Sequence, residues 1–207
     1  ATTSRFIGSM NGTYQYNEHA GIDVSFMNYS IRSNAISDTA RIDNVLNYFT
    51  VTPRFNFQAL GGFSNLFFTY SFQKFDDNNI IFAYNNKSSA HTASAVWSVA
   101  YISSLNFSTS VNYQNSEFST GNFKLTSLGA STGYSFFDRK LNTSIGANYS
   151  LFSSVADNNQ MNLRLNLAYN IENFGTVSLY ILRNEFNSDL NTNYKETQAV
   201  LQYYYNF

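Results

Sequence analysis

Apolar and polar residues alternate with a period of two along nearly the whole chain. Met161, Leu163, Leu165, Leu167, Tyr169 and Ile171 are interleaved with Asn162, Arg164, Asn166, Ala168 and Asn170. Leu141, Thr143, Ile145, Ala147, Tyr149 and Leu151 are interleaved with Asn142, Ser144, Gly146, Asn148 and Ser150. Successive side chains of a strand point to opposite faces, so each segment reads as a strand with one greasy and one polar face. The same reading holds for 93–101 (Ala95, Trp97 and Val99 outward), 105–113 (Phe107, Thr109 and Val111 outward), 66–72 and 49–59. A half-buried strand of a soluble domain runs for about 5–6 residues. Here the alternation persists for about 9–12, the length at which a tilted strand crosses a bilayer.

The pattern predicts about eleven strands, at 5–16, 22–33, 45–60, 64–75, 91–102, 105–115, 123–136, 140–153, 160–171, 175–186 and 193–207. Two parity slips predict bulges: Phe26 and Met27 both read outward, and Phe123 and Leu125 are out of step with Leu128, Ala130 and Tyr134. Pro53 lacks an N–H and predicts a local break in its ladder. Short connections (17–21, 60–64, 102–105, 136–140, 172–175) alternate with longer Asn- and Asp-rich ones near 34–44, 76–90, 115–122, 154–159 and 187–192. Segment 79–84 offers an alternative, a short extra strand within its loop. Short turns on one side and long loops on the other are the habit of transmembrane barrels.

Composition sharpens this picture. Of 207 residues, 12% are charged, 43% hydrophobic and 18% aromatic, with 16 Tyr and 20 Phe. Soluble domains carry about 25% charged residues, so a conventional globule of this composition would be poorly soluble. A mean hydropathy of -0.27 argues against a bundle of membrane helices, and no run approaches the roughly 18 apolar residues that a spanning helix needs. One face in lipid and one in water accounts for all three properties. The alternative is a soluble β-sandwich or adhesin, which shares the richness in Asn, Ser and Thr. A net charge of -1 implies neither nucleic acid nor an anionic surface as an electrostatic partner. The absence of cysteine excludes disulfides and thiolate metal sites. The chain opens on Ala1 without a signal peptide, as a mature chain or a fragment would.

Candidate chemistry is sparse. His19 falls in a short turn and His91 at the far end of a strand, so the two cannot converge on a metal or a triad. His91 with Ser88, Ser89 and Asp76 or Asp77 could imitate a lipid-edge hydrolase; a solvated rim histidine is the plainer reading. Arg54, Arg164 and Arg32, with Asp23, are expected to point into a lumen. There they would either orient an ionic solute or simply balance charge in a neutral interior of Ser, Asn, Gln, Thr, Gly and Ala. Tyr14, Tyr16, Tyr101, Tyr134, Phe136, Tyr169, Tyr203, Tyr205 and Phe207 lie outward near one set of strand ends, as an interfacial girdle does. A sugar-binding aromatic platform is the alternative. Trp97, mid-strand, does not fit the girdle. No phosphate loop and no Cys/His or carboxylate cluster is present, so neither catalysis nor a cofactor is expected.

The final nine residues, AVLQYYYNF, place Ala199, Leu201, Tyr203, Tyr205 and Phe207 on one face. This resembles the terminal strand of bacterial outer-membrane β-barrels, where the aromatic end serves as the assembly machinery's signal. FFDRKLNTSIGANYS and MNLRLNLAYNIENFGTVSLYILRN likewise resemble the closing strands of large barrels typical of Bacteroidota. The resemblance covers most of the chain from about residue 45. It implies a transmembrane antiparallel up-and-down β-barrel in the outer membrane, with its C-terminus on the periplasmic side. The implied partners are the lipid bilayer, the barrel-assembly machinery and other subunits of an outer-membrane complex. Asp38, Thr39 and Ala40 match that phylum's O-glycosylation pattern, with Thr39 as acceptor. A complete bacterial barrel has an even number of strands, so eleven imply the C-terminal part of a longer barrel. The function expected is a membrane anchor or scaffold subunit; the alternatives are a porin-like channel and, behind it, a hydrolase.

Overall fold

The computed structural model describes residues 2–34, 42–78, 87–154, 156–172, 174–190 and 193–205. Thr39, Phe207 and the 79–84 segment lie outside them. Eleven strands appear: β1 (Thr2–Asn17), β2 (Ala20–Asn34), β3 (Asp43–Ala59), β4 (Gly62–Asp77), β5 (Lys87–Ala100), β6 (Leu105–Phe118), β7 (Gly121–Phe136), β8 (Leu141–Ser153), β9 (Asp157–Ile171), β10 (Gly175–Ser188) and β11 (Tyr194–Tyr204). They form one antiparallel up-and-down sheet in strict chain order. The eleven predicted strands correspond to these one for one. The order runs from β1 to β11 and does not return, so the sheet is not closed into the expected barrel. β1 and β11 are its edges.

Residue contacts divide the chain into two compact units. One comprises Ala1–Phe55, Phe67–Ser94 and Tyr113–Lys124, the other Asn56–Leu66, Ala95–Asn112 and Leu125–Phe207. In the first, β2 pairs with β1 from Thr2↔Asn34 to Asn17↔Ala20 and with β3 from Ala20↔Phe55 to Arg32↔Asp43. Met10, Phe26 and Phe49 form one cross-strand row, and Thr13, Asp23 and Thr52 another on the opposite face. In the second unit, Ile145, Leu165, Ile181 and Ala199 form a row of the apolar face, and Gly146, Arg164, Leu182 and Gln198 the next row, on the polar face.

Three local expectations are corrected by the register. The β2 ladders run unbroken through Phe26 and Met27 on both sides, so there is no bulge there. Met27 pairs with Tyr48 and Ser9 on the Asp23 face, which therefore carries a few apolar residues. In β7, exposure alternates without a break from Phe123 to Ala130, which puts Phe123 and Leu125 on the side of Ser127 and Gly129. Pro53 pairs with Ile22 without slipping the β2–β3 register, so its missing N–H does not shift that ladder. The register shift lies instead at Gln15/Asn17, beside the turn where Asn17 Oδ1 accepts the His19 and Ala20 amides at 2.8 Å each.

The turns also refine the loop pattern. The long loop expected at 115–122 is a turn between Phe118 and Gly121, because β6 and β7 extend further than their apolar runs. The β3–β4 turn is the two residues Leu60 and Gly61, both with positive φ (53° and 76°), as a type I′ hairpin turn requires. The β7–β8 turn carries three consecutive non-glycine residues at positive φ, Phe137, Asp138 and Arg139.

No conventional core forms. Among the described residues Val99 is the one buried hydrophobic side chain, while Met10 (68%), Ile145 (57%) and Leu201 (72%) stand exposed. Side chains that a two-sheet sandwich would bury are open on one face of this sheet. Trp97, the aromatic that fits no girdle, packs edge-on against Phe107 with ring centres 6.0 Å apart.

Candidate functional site on the polar face

Arg54 and Asp23, both expected to face a lumen, lie on the same face of the sheet and meet there. Arg54 Nη1 lies 3.6 Å from Asp23 Oδ2, Arg54 Nη2 donates to Gln15 Oε1 at 3.0 Å, and Thr13 Oγ1 donates to Asp23 Oδ1 at 2.8 Å. Three adjacent strands thus knit one polar cluster whose charges cancel. Gly21 makes room for it, since a Cβ there would stand 2.7 Å from Gln15 Oε1 and 2.8 Å from Arg54 Nε.

Arg32 is not part of that cluster. Its position on β2 is an odd number of residues from Gly21 and Asp23, which puts it on the Phe26 face. There its Nε donates to Asp43 Oδ1, its cross-strand partner, at 3.2 Å. The expectation that Arg32 shares a face with Asp23 and Arg54 is therefore corrected.

Arg164, in the other unit, is set differently. It lies beside Gly146 on β8, on the face of Asn148, Asn162 and Asn184. A Cβ on Gly146 would stand 2.8 Å from Arg164 Nε and 3.3 Å from its Cγ, so the side chain lies flat over the glycine. Gly129, similarly, would bring a Cβ within 2.8 Å of Ser110 Oγ. These glycines open a hollow of about 440 Å³ on the polar face, lined by Arg164, Ser131, Asn148, Asn162, Leu182 and Asn184 among others. Ser108 and Ser131 hydroxyls meet across its edge at 2.8 Å.

The opposite face of the same strands carries an apolar groove of about 510 Å³, lined by Phe107, Ala130, Ile145, Ala147, Leu163 and Ile181. Arg183 also reaches it, and pairs with Glu185, which Lys195 approaches at 3.6 Å. This charged trio on an apolar face went unseen in the sequence. It depends on the β10–β11 register, Glu185↔Lys195, which alternation alone does not fix.

Tyr169 and Tyr203 occupy one row of the apolar face, with Leu141 and Val177. The Tyr203 hydroxyl donates to the Phe174 carbonyl in the β9–β10 turn. Tyr205 follows two residues beyond Tyr203 and is exposed. His91 bonds Tyr70 (Oη to Nδ1, 2.8 Å) and faces the Phe72 ring at 4.7 Å. Ser88, Ser89 and Asp76 line a hollow with Lys74 and Lys87. Among the described residues no group of three His, Cys, Asp or Glu could hold a metal ion. In comparisons with known proteins, no family model and no curated protein matches the chain.

Proposed function

We propose that this chain is the strand-forming membrane portion of an outer-membrane β-barrel, serving as anchor or scaffold for a larger protein or complex. The observation that carries the reading is the two-faced ladder: strands of 11 to 17 residues whose large apolar side chains stand exposed mostly on one face, with exceptions such as Ile7 and Val200. About 9–11 residues suffice for a tilted strand to span hydrocarbon. In water such a surface would drive aggregation; in lipid it is the side that belongs outside, and acyl chains would fill the groove beside Ala130 and Ala147. Tyr169, Tyr203 and Tyr205 would then lie at the headgroup level on the periplasmic side, with Phe207 completing the assembly signal.

The two edges support the larger-assembly part of the proposal. An edge left unpaired in hydrocarbon strands a row of N–H and C=O groups at a cost of several kcal/mol each. On this reading β1 and β11 are completed by further strands, from the same polypeptide or a partner subunit. The chain has no cysteine, so single-cysteine scanning tests the placement cleanly. In native membranes, cysteines at Gln198 and Gln202 should react with a water-soluble maleimide, and those at Ala199 and Leu201 with a lipid-dissolved reagent only. Uniform aqueous labelling, or release of the chain by alkaline carbonate, would overturn the reading. A native mass well above 23.5 kDa would support the larger barrel. A channel is the second reading, favoured by the hollow around Arg164 on the polar face; conductance in planar bilayers that changes on Arg164→Gln would support it.

A further inference from the structure

We propose that the hollow around Arg164 is a binding site for a small oxyanion, a carboxylate or phosphate group. The first ground is an unspent charge. Arg32, Arg54 and Arg183 each have a carboxylate at hand, in Asp43, Asp23 and Glu185. Among the described residues the Arg164 side chain has no hydrogen-bond or ion-pair partner. The acid nearest to it on the ladder of that face, Glu196, is the cross-strand partner of Asn184 on β11 and accepts from Gln198 Nε2 at 2.7 Å. Two strand spacings across and two residues along the ladder separate it from Arg164, roughly 12 Å, more than one Debye length at physiological salt.

The second ground is the polarity of the donors around it. Asn148 Oδ1 already accepts from Ser150 Oγ at 2.8 Å, and Asn162 Oδ1 from Gln160 Nε2 at 3.1 Å. These bonds take one of the two lone pairs on each amide oxygen, while neither NH₂ donates to a described residue, so free donors outnumber free acceptors on both residues. Asn148 and Asn162 are cross-strand partners, and Arg164 follows Asn162 by two residues on the same face. A guanidinium fork beside two amide donors is complementary to an oxyanion and offers little to a cation. The third ground is space: Gly146 and Gly129 hold open a volume of about 440 Å³, in the range of small-molecule sites. The site rests on side-chain geometry and goes beyond the membrane reading, which could fail without it.

The test uses the full chain refolded in maltoside micelles, with ¹⁵N-labelled side-chain amides. Titration at constant ionic strength with sodium acetate or sodium phosphate should shift the Asn148 and Asn162 NH₂ resonances saturably, with a dissociation constant of about 1–10 mM, as a solvated charge-assisted contact gives. Arg164→Gln should weaken this at least ~10-fold. Gly146→Ala should weaken it by displacing the guanidinium while circular dichroism shows the sheet intact. Micelles doped with phosphatidylglycerol separate the sources: Arg164-dependent shifts with the lipid but not with free anions assign the group to a headgroup. No saturable shift with any of these probes, or a titration unchanged in Arg164→Gln, overturns the proposal.

Discussion

Asp23 and Arg54 meet diagonally across the β2–β3 ladder, Arg54 reaching past Thr52, the direct partner of Asp23, to bring its guanidinium 3.6 Å from the carboxylate. Their side chains are 40% and 31% exposed, so water screens much of the attraction. A double-mutant cycle with Asp23→Asn and Arg54→Gln should give a coupling of about 0.5–1 kcal/mol at low salt, falling in 1 M salt. Arg54→Gln alone should cost more than Asp23→Asn, because it also releases Gln15. Urea unfolding in lipid vesicles reads both; a zero coupling at low salt would show that the pair is incidental.

The β3–β4 turn makes a prediction of opposite sign. Leu60 holds φ at 53° ahead of Gly61, a conformation costing a non-glycine residue about 1–2 kcal/mol. Asn tolerates it and favours Asn-Gly type I′ turns. Leu60→Asn should therefore stabilise the chain by about 0.5–1 kcal/mol, and Leu60→Val should destabilise it. Leu60 is 73% exposed, so lost packing should not obscure the comparison. Midpoints of urea unfolding for the two variants check the order.

The strands were legible because alternation over nine or more residues leaves one assignment for each segment. Arg54 and Asp23 were legible as residues of one polar face, but their pairing was not, because alternation does not fix the β2–β3 register. The face of Arg32 was not legible. Its neighbours Ile31 and Ser33 give no clear parity at the end of β2, and only the partner Asp43 shows which face it joins. Met27 misled for the reverse reason: the Asp23 face carries Met27, Tyr29 and Ile31, so an apolar residue does not by itself name the outer side. The Arg164 hollow depends on glycines on neighbouring strands, Gly129 and Gly146, and on which amide oxygens are already occupied. Neither is visible until the strands are set side by side.

Two glycines separate conformational effects from steric ones. A Cβ at Gly62 would stand 2.7 Å from Val99 Cγ1 and 2.9 Å from the Ala100 carbonyl, while one at Gly12 meets nothing within 4 Å. Gly62→Ala should cost about 1–3 kcal/mol, since backbone must move and Val99 is the buried apolar residue it would displace. Gly12→Ala should be neutral or stabilise by up to about 1 kcal/mol through the unfolded chain. Comparable effects at both positions would mean that the Val99 and Ala100 contacts do not set Gly62 apart from Gly12.

Tyr70 and His91 satisfy each other on the face that carries Phe55, Phe68 and Phe72, through the 2.8 Å bond from hydroxyl to Nδ1. The value of this bond depends on what surrounds it. In hydrocarbon, removing one partner leaves the other polar group unmet, at about 1–3 kcal/mol, whereas removing both costs little. Tyr70→Phe and His91→Leu should thus each destabilise the chain in lipid vesicles, and the double variant should recover most of the loss. In water either orphan would simply be hydrated, so two near-neutral single variants would place this face in solvent and remove the membrane reading with it.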